Sequence, residues 1–347
     1  MIMKYNKIIP ALLMVTMLAA CDLNKSKAGS LKEPKFAKAS EEIEHAAFVE
    51  DVSSGEFFGD FAGGDIAKLP SFNHSSYEGQ SRSQKVTRGK KVLRESVYNE
   101  EYENDCQIDT TNNRFHYEGS QTEYESYKVE TGKEVSKSSS KMNRNVQLNK
   151  FEDGREYALE IDNEAKAFNR INDTTDMTDT EKKSFLFGNY FQAYEMVWYT
   201  ITPDSFWDVY YDYDGLTDEE KNCYKFYRDN KVYTVEYRFE DENPVKDADD
   251  NLLYTVKEVL ELKIQLDTSK RLESKISYKE LRTSSTSYLF NKNLNYDGSM
   301  YLEGDVLESK QVTSLEASVE KDEKLEIKEV DLSKLYDMDA SNNTLLP

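Results

Sequence analysis

Strand-like signals run over two long stretches of this chain, about residues 85–172 and 222–330, and in several runs within them apolar side chains alternate with polar ones. A period of two marks antiparallel strands with one buried face. In "VQLNKFEDGREYALEID", Val146 and Leu148 precede Asp153-Gly154, and Tyr157, Leu159 and Ile161 follow. A two-residue Asp-Gly turn pairs Leu148 with Leu159 and Val146 with Ile161, placing all four on one face. "YKFYRDNKVYTVEYRF" repeats the arrangement around Asp229-Asn230: Phe226 faces Tyr233, Tyr224 faces Val235, and Tyr237 and Phe239 extend the stripe. Leu260, Leu262, Ile264 and Leu266 alternate with polar neighbours until "DTSK" turns the chain into Leu272, Ser274, Ile276 and Tyr278.

Helical spacing appears in two places. Ser40 caps "SEEIEHAAFVEDV", where Ile43, Ala46, Ala47 and Glu50 recur at the period of a short helix. Thr178-Asp179-Thr180-Glu181 has the form of a capping box. Behind it Phe187, Phe191, Tyr194 and Trp198 recur on one face, joined by Tyr190, Ala193 and Val197, and Thr202-Pro203 starts a further turn before Phe206, Trp207 and Tyr210. Residues 53–83, rich in Gly, Ser and Asp, read as loop. The pattern predicts one mainly β (α+β) domain over 40–335: strands at about 85–172, a helical insert at about 178–212, strands at about 222–330 and a C-terminal tail at 336–347. A curved antiparallel meander sheet, or half-barrel, with a few helices on its concave face accounts for this order.

Composition adds solubility and an exclusion. Hydrophobic residues are 38% and aromatics 12%, led by 24 Tyr and 16 Phe, so a strand core built on rings is available. The net charge of −21 repels nucleic-acid phosphates and anionic headgroups, which excludes nucleic acid and direct membrane-surface binding.

The N-terminus changes the picture most. Lys4 and Lys7 precede an apolar run from Ile8 to Leu18, too short to span a bilayer, which ends in Leu18-Ala19-Ala20-Cys21. Residues 1–21 resemble a bacterial lipoprotein signal peptide with its lipobox. The resemblance implies cleavage of residues 1–20, acylation of Cys21, and a protein held at the extracytoplasmic face of a membrane by fatty acid such as palmitate. Each buried methylene contributes roughly 0.8 kcal/mol. Residues 21–39, polar and lysine-rich, then read as a flexible tether. Cys106 and Cys223 remain, and the sequence leaves open whether they pair.

The element order from 40 to 335, together with the anchor, resembles the LolA/LppX-like fold of periplasmic and surface lipoproteins. That resemblance implies a half-barrel whose helices close an apolar cavity for acyl chains, and it carries no residue motif. Phe187, Tyr190, Phe191, Tyr194, Trp198 and Trp207 are the candidate cavity lining; packing of helices on the sheet is the commoner use of such a stripe, and a half-barrel uses the same residues for both.

Catalytic signatures are absent from the chain. His45, His74 and His116 stand in separate segments without metal-ligand spacing and read as surface or loop residues. Ser138-x-x-Lys141 has the spacing of penicillin-recognising enzymes but lacks a companion Lys-Thr-Gly. In "DADDNLLYTVKE", Asp247, Asp249, Asn251 and Glu258 occupy positions one, three, five and twelve of a calcium loop, with Leu252 in place of its glycine. No cofactor is implied. The expectation is a non-enzymatic lipoprotein binding a lipid or other hydrophobic ligand. The alternatives are an adhesin, scaffold or accessory subunit of an envelope complex, and a hydrolase without a recognisable motif.

Cys21→Ser is expected to abolish acylation and release the protein from the membrane fraction. The mass of the N-terminal peptide checks it, and an acylated Cys21→Ser protein would overturn the anchor.

Overall fold

The computed structural model describes residues 31–38, 40–53, 70–129, 131–190, 209, 212–268 and 275–339. A short strand β1 (Glu41–Ile43) and helix α1 (His45–Ser53) precede long strands β2 (Phe72–Arg88), β3 (Lys91–Asp109), β4 (Arg114–Val129) and β5 (Gly132–Lys150). Strands β6 (Glu156–Asp162) and β7 (Ala167–Asp173) lead to helix α2 (Asp179–Lys183), a π-helical segment Ser184–Tyr190, and, later, helix α3 (Asp218–Lys221). Then follow β8 (Tyr224–Asp229), β9 (Val232–Lys246), β10 (Leu252–Asp267), β11 (Lys275–Phe290), the small hairpin β12 (Leu294–Tyr296) and β13 (Ser299–Tyr301), β14 (Asp305–Lys321) and β15 (Tyr336–Asp337). Thirteen strands form one open sheet in the order β1-β8-β9-β10-β11-β14-β2-β3-β4-β5-β6-β7-β15. All its pairings are antiparallel except β15 with β7.

The sheet curves around its helices. Phe226 of β8 and Val146 of β5 belong to one apolar cluster with Phe48 of α1, Leu186, Phe187 and Val209. On a flat sheet these two strands would stand about 38 Å apart, at ~4.8 Å per strand. One compact helical layer reaches both only if the sheet bends toward it. The expected half-barrel with helices on its concave face is the fold observed.

Several local expectations shift. Ser40 does not cap a helix: its Oγ donates to the Arg228 carbonyl at 3.1 Å, and Glu41–Ile43 joins the edge of β8 with Ile43 opposite Phe226. Helix α1 begins only after Glu44, whose carbonyl accepts from Phe48 N–H at 3.1 Å. The loop expected over 53–83 contains β2 from Phe72 onward. It lies between β14 and β3, and ladders on both sides hold its Ser, Asn and Gln residues extended without an apolar stripe. Thr178 forms the expected capping box with Glu181, and Thr217 forms another with Glu220 at α3.

The hairpin registers show which sequence signals survived. At Asp153-Gly154 the chain uses a three-residue loop: Phe151 N–H donates to the Arg155 carbonyl at 2.8 Å and Gly154 adopts φ +84. Leu148 therefore opposes Ala158 and Val146 opposes Glu160, one residue away from the expected pairs. A one-residue slip separates faces. Val146, Leu148 and Ala158 face the concave core, whereas Leu159 and Ile161 pack on the convex side with Phe168 and Leu335. At the second hairpin the turn is Asn230-Lys231, with Phe226 opposite Val235 and Tyr224 opposite Tyr237. That slip is two residues, so the expected stripe keeps its face.

Both ends of the described chain cross the convex face. Lys32 N–H donates to Tyr77 Oη at 3.0 Å, Ser314 Oγ to the Lys32 carbonyl at 2.7 Å, and Lys279 Nζ to the Lys35 carbonyl at 2.6 Å. Residues 31–38 of the expected tether are thus laid against the sheet. At the other end Tyr336–Asp337, expected in the tail, pairs with β7, and Arg170 forms an ion pair with buried Asp337 at 2.5 Å.

Each crossing is gripped by a buried glutamine. Gln265 Oε1 accepts from Ala37 N–H at 2.9 Å while its Nε2 donates to the Ala37 carbonyl at 3.3 Å. Gln147 does the same for Val330, at 2.8 and 3.1 Å. A side-chain amide offers the donor and acceptor of a peptide group, so each glutamine substitutes for a strand neighbour. Unmade, those bonds would leave buried amides costing about 1–3 kcal/mol each.

Two of the histidines expected at the surface are buried. His45 stacks on Tyr213 at 4.1 Å between ring centroids. His74 is 4% exposed in the concave core, with both ring nitrogens lacking a protein partner, and burial lowers its pKa to about 4. The unfolded chain binds this proton near pH 6.5 and the fold does not, so stability present above pH 6.5 is lost as pH falls toward 4. The loss attributable to His74 is expected to be about 3 kcal/mol, and His74→Leu should flatten that limb in urea unfolding across the window. Parallel acid limbs in the two proteins would exclude the imidazole as the cause.

Candidate functional site

Among the described residues the long strands outreach their helical cover. β3, of 19 residues, spans about 60 Å at ~3.3 Å per residue. The apolar cluster under the helices occupies one end of the concave face, up to Leu315 on β14. At the far end β12 and β13 fold back over the same face. Tyr301 stacks on Phe290 at 4.2 Å, and both pack with Val86 and Leu307. Between the two covers lies an open trough of about 420 Å³, lined among others by Arg82, Ser96, Tyr98, Ser284, Ser309 and Gln311.

Register places the floor. One row across the strands reads Ser284, Gln311, Arg82, Tyr98, Glu125, and the next reads Thr286, Ser309, Gln84, Ser96, Tyr127. Toward the helices follow Arg282, Thr313, Gln80, Glu100, Glu123 and then Glu280, Leu315, Glu78, Tyr102, Gln121. Hydroxyl and amide groups dominate, and rings stand among them.

The carboxylates are organised. The Tyr102 hydroxyl donates to Glu100 in a short contact. Gln121 Nε2 donates to Glu100 and to Glu123, each at 3.1 Å, and Ser138 Oγ donates to Glu123 at 3.0 Å. Tyr278 donates to Glu280 at 2.8 Å. Water reaches Glu78, yet desolvation by the surrounding trough and the charges of Glu100 and Glu280 push its carboxyl up. Tyr98 is raised by burial and by Glu100 and Glu123. Such a floor can hydrogen-bond and stack on a ligand. Among the described residues, no group of three or more His, Cys, Asp or Glu side chains is placed to hold a metal ion.

The residues singled out in the sequence scatter. Cys21, Phe191, Tyr194, Trp198 and Trp207 lie outside the described residues, and so does the side chain of Tyr190. Phe187 is fully buried beside Leu186 and packs the helical segment on the sheet. Asp247, Asp249 and Asn251 form a tight turn in which Asp247 Oδ1 accepts from the Asn251 N–H at 2.9 Å. Lys292 Nζ donates to Asp247 Oδ2 at 2.9 Å and, with Asn251, holds that carboxyl down at about 2. Glu258 sits up β10 opposite Asp241 and Thr286, away from the turn, so the four do not converge.

Ser138 and Lys141 are three apart on β5, and a strand sends such positions to opposite faces. Cys106 is buried with its thiol pushed up to about 12, Cys223 is half-buried, and both are free. Apolar alternation does not disclose the trough, because its floor carries few apolar residues. Its signal was the change from apolar to Ser, Thr and Gln midway along strands too long to end there.

No family model matches the chain, and no curated protein matches its sequence. Among solved structures, a TodX monoaromatic hydrocarbon channel mutant is similar at 7% identity and TM-score 0.22, covering 82% of this chain and 96% of that one. The InvG secretin β-barrel of the Salmonella SPI-1 injectisome follows at 8% identity and TM-score 0.16, covering 76% and 66%. A Pseudomonas aeruginosa FadL homologue stands at 8% and 0.13, covering 82% and 99%. Likenesses this slight carry no argument about this chain. Among the described residues no helix is long and apolar enough to cross a membrane.

Because Lys292 and Asn251 already saturate Asp247, about 1 mM calcium is expected to move the thermal midpoint by less than about 1 °C. A rise of several degrees would show that the turn reopens around the ion.

Proposed function

We propose that this chain is a membrane-anchored, extracytoplasmic lipoprotein that acts by binding rather than catalysis, with the concave trough as its ligand face. The observation that carries the reading is the open trough itself. The sheet floors it, two apolar clusters flank it, and no described element crosses it. The anchor rests on the lipobox at Leu18 to Cys21.

Two ligand classes separate on this face. A lipid or other hydrophobic ligand would use the apolar end, where Phe48, Leu186, Phe187 and Val209 already pack on the sheet. A polar ligand uses the hydroxyl, amide and tyrosine groups of the trough, and the geometry supports this class best. Tyr with Ser and amide side chains is a composition suited to adaptable recognition. An accessory role in an envelope complex uses the same face, with a protein segment in place of a small ligand.

Native mass spectrometry of the purified protein and of Ser309→Trp, which fills the trough, tests the reading. An adduct present in the parent and lost in Ser309→Trp is expected. A lipid adduct retained in Ser309→Trp would move the ligand to the apolar end and overturn the trough. A bare parent protein would favour the accessory role.

A further inference from the structure

Over the four rows of the trough floor, the two faces of the same six strands carry opposite net charge. On the trough side, between β11 and β5, stand Glu78, Glu100, Glu123, Glu125, Glu134 and Glu280 against Arg82 and Arg282, with no lysine. On the convex side, in the rows between and beside these, stand Lys85, Lys128, Lys133, Lys137, Lys141, Lys279 and Lys310 against Glu95, Glu101, Glu103, Glu308 and Glu316. A charge set chosen only for solubility has no reason to segregate by face. Strand alternation makes the sorting a residue-by-residue outcome.

Resting on the trough as the ligand face, we propose that its occupant is an extended, lysine- or arginine-rich segment of a partner polypeptide. Three features argue for it. The floor is negative where the reverse of the sheet is positive, so complementarity selects a cation. The six strands span about 24 Å at ~4.8 Å each, the reach of roughly seven extended residues, which a small cation would leave largely empty. Tyr98, Tyr102 and Tyr127 share that face with the carboxylates, and ring faces add cation–π attraction to Lys and Arg. Glu78, held up partly by its neighbours Glu100 and Glu280, gains most from a cation placed between them.

Fluorescence anisotropy of the full chain in detergent tests this with a labelled Lys-Ser-Lys-Ser-Lys-Ser-Lys peptide. Binding is expected at low salt, weakening several-fold at high salt. Glu100→Gln and Glu123→Gln should each weaken it about three- to tenfold, while the convex control Glu308→Gln stays within about twofold. Arg82→Gln should tighten binding, a gain that misfolding cannot imitate. The proposal is overturned if Glu308→Gln weakens binding as much as Glu100→Gln, if a Gln-for-Lys peptide binds equally well, or if no peptide binds at low salt. In the last case an adduct lost in Ser309→Trp would still leave the trough a ligand face, with a different occupant.

Discussion

One continuous antiparallel ladder governs this molecule. Strands of up to 19 residues pair along most of their length, and each register commits alternate side chains to opposite faces. The concave core, the convex packing and the trough are therefore three consequences of one set of pairings. Where β5 meets β6, a single residue of register decides whether Leu159 and Ile161 join the main core or the convex cluster under the C-terminal segment.

An open sheet has costs that a closed barrel avoids, namely edges and an exposed outer face. The chain answers with its own ends. Residues 31–38 lie on the convex face at Tyr77, residues 41–43 pair with the edge of β8, and the segment after β14 crosses to β7. Gln265, 3% exposed, and Gln147, 1% exposed, hold them through paired amide bonds that mimic a strand neighbour. Where an edge stays bare among the described residues, the outer part of β5 carries Lys133, Lys137 and Lys141, and the outer part of β9 carries Pro244 and acidic residues. Such residues discourage unwanted pairing.

The trough exists because the strands run on past the apolar layer that folds them. Burial of Phe48, Phe187 and their neighbours stabilises one end, and the stack of Phe290 with Tyr301 stabilises the other. Between them no described element packs on the concave face, and the strand ladders keep its side chains in rows. The crowding of carboxylates there is tolerated through the Tyr102, Gln121 and Ser138 bonds, which hold Glu100 and Glu123 in place.

What sequence alone determined was local and periodic. Alternation marked β5, β6, β8, β9, β10 and β11, the capping box marked α2, and Phe226, Ile264 and Tyr278 fell on the core face as their parity required. These features depend on neighbours two to four residues away, so the chain displays them directly. Tertiary structure decided the rest. β2 is a strand because β14 and β3 pair with it, and Glu41–Ile43 is a strand because β8 had a free edge. Residues 31–38 are seated because Gln265, more than 200 positions later, accepts their backbone. The trough likewise depends on bringing β11, β14, β2, β3 and β4 side by side, an adjacency that no local pattern encodes.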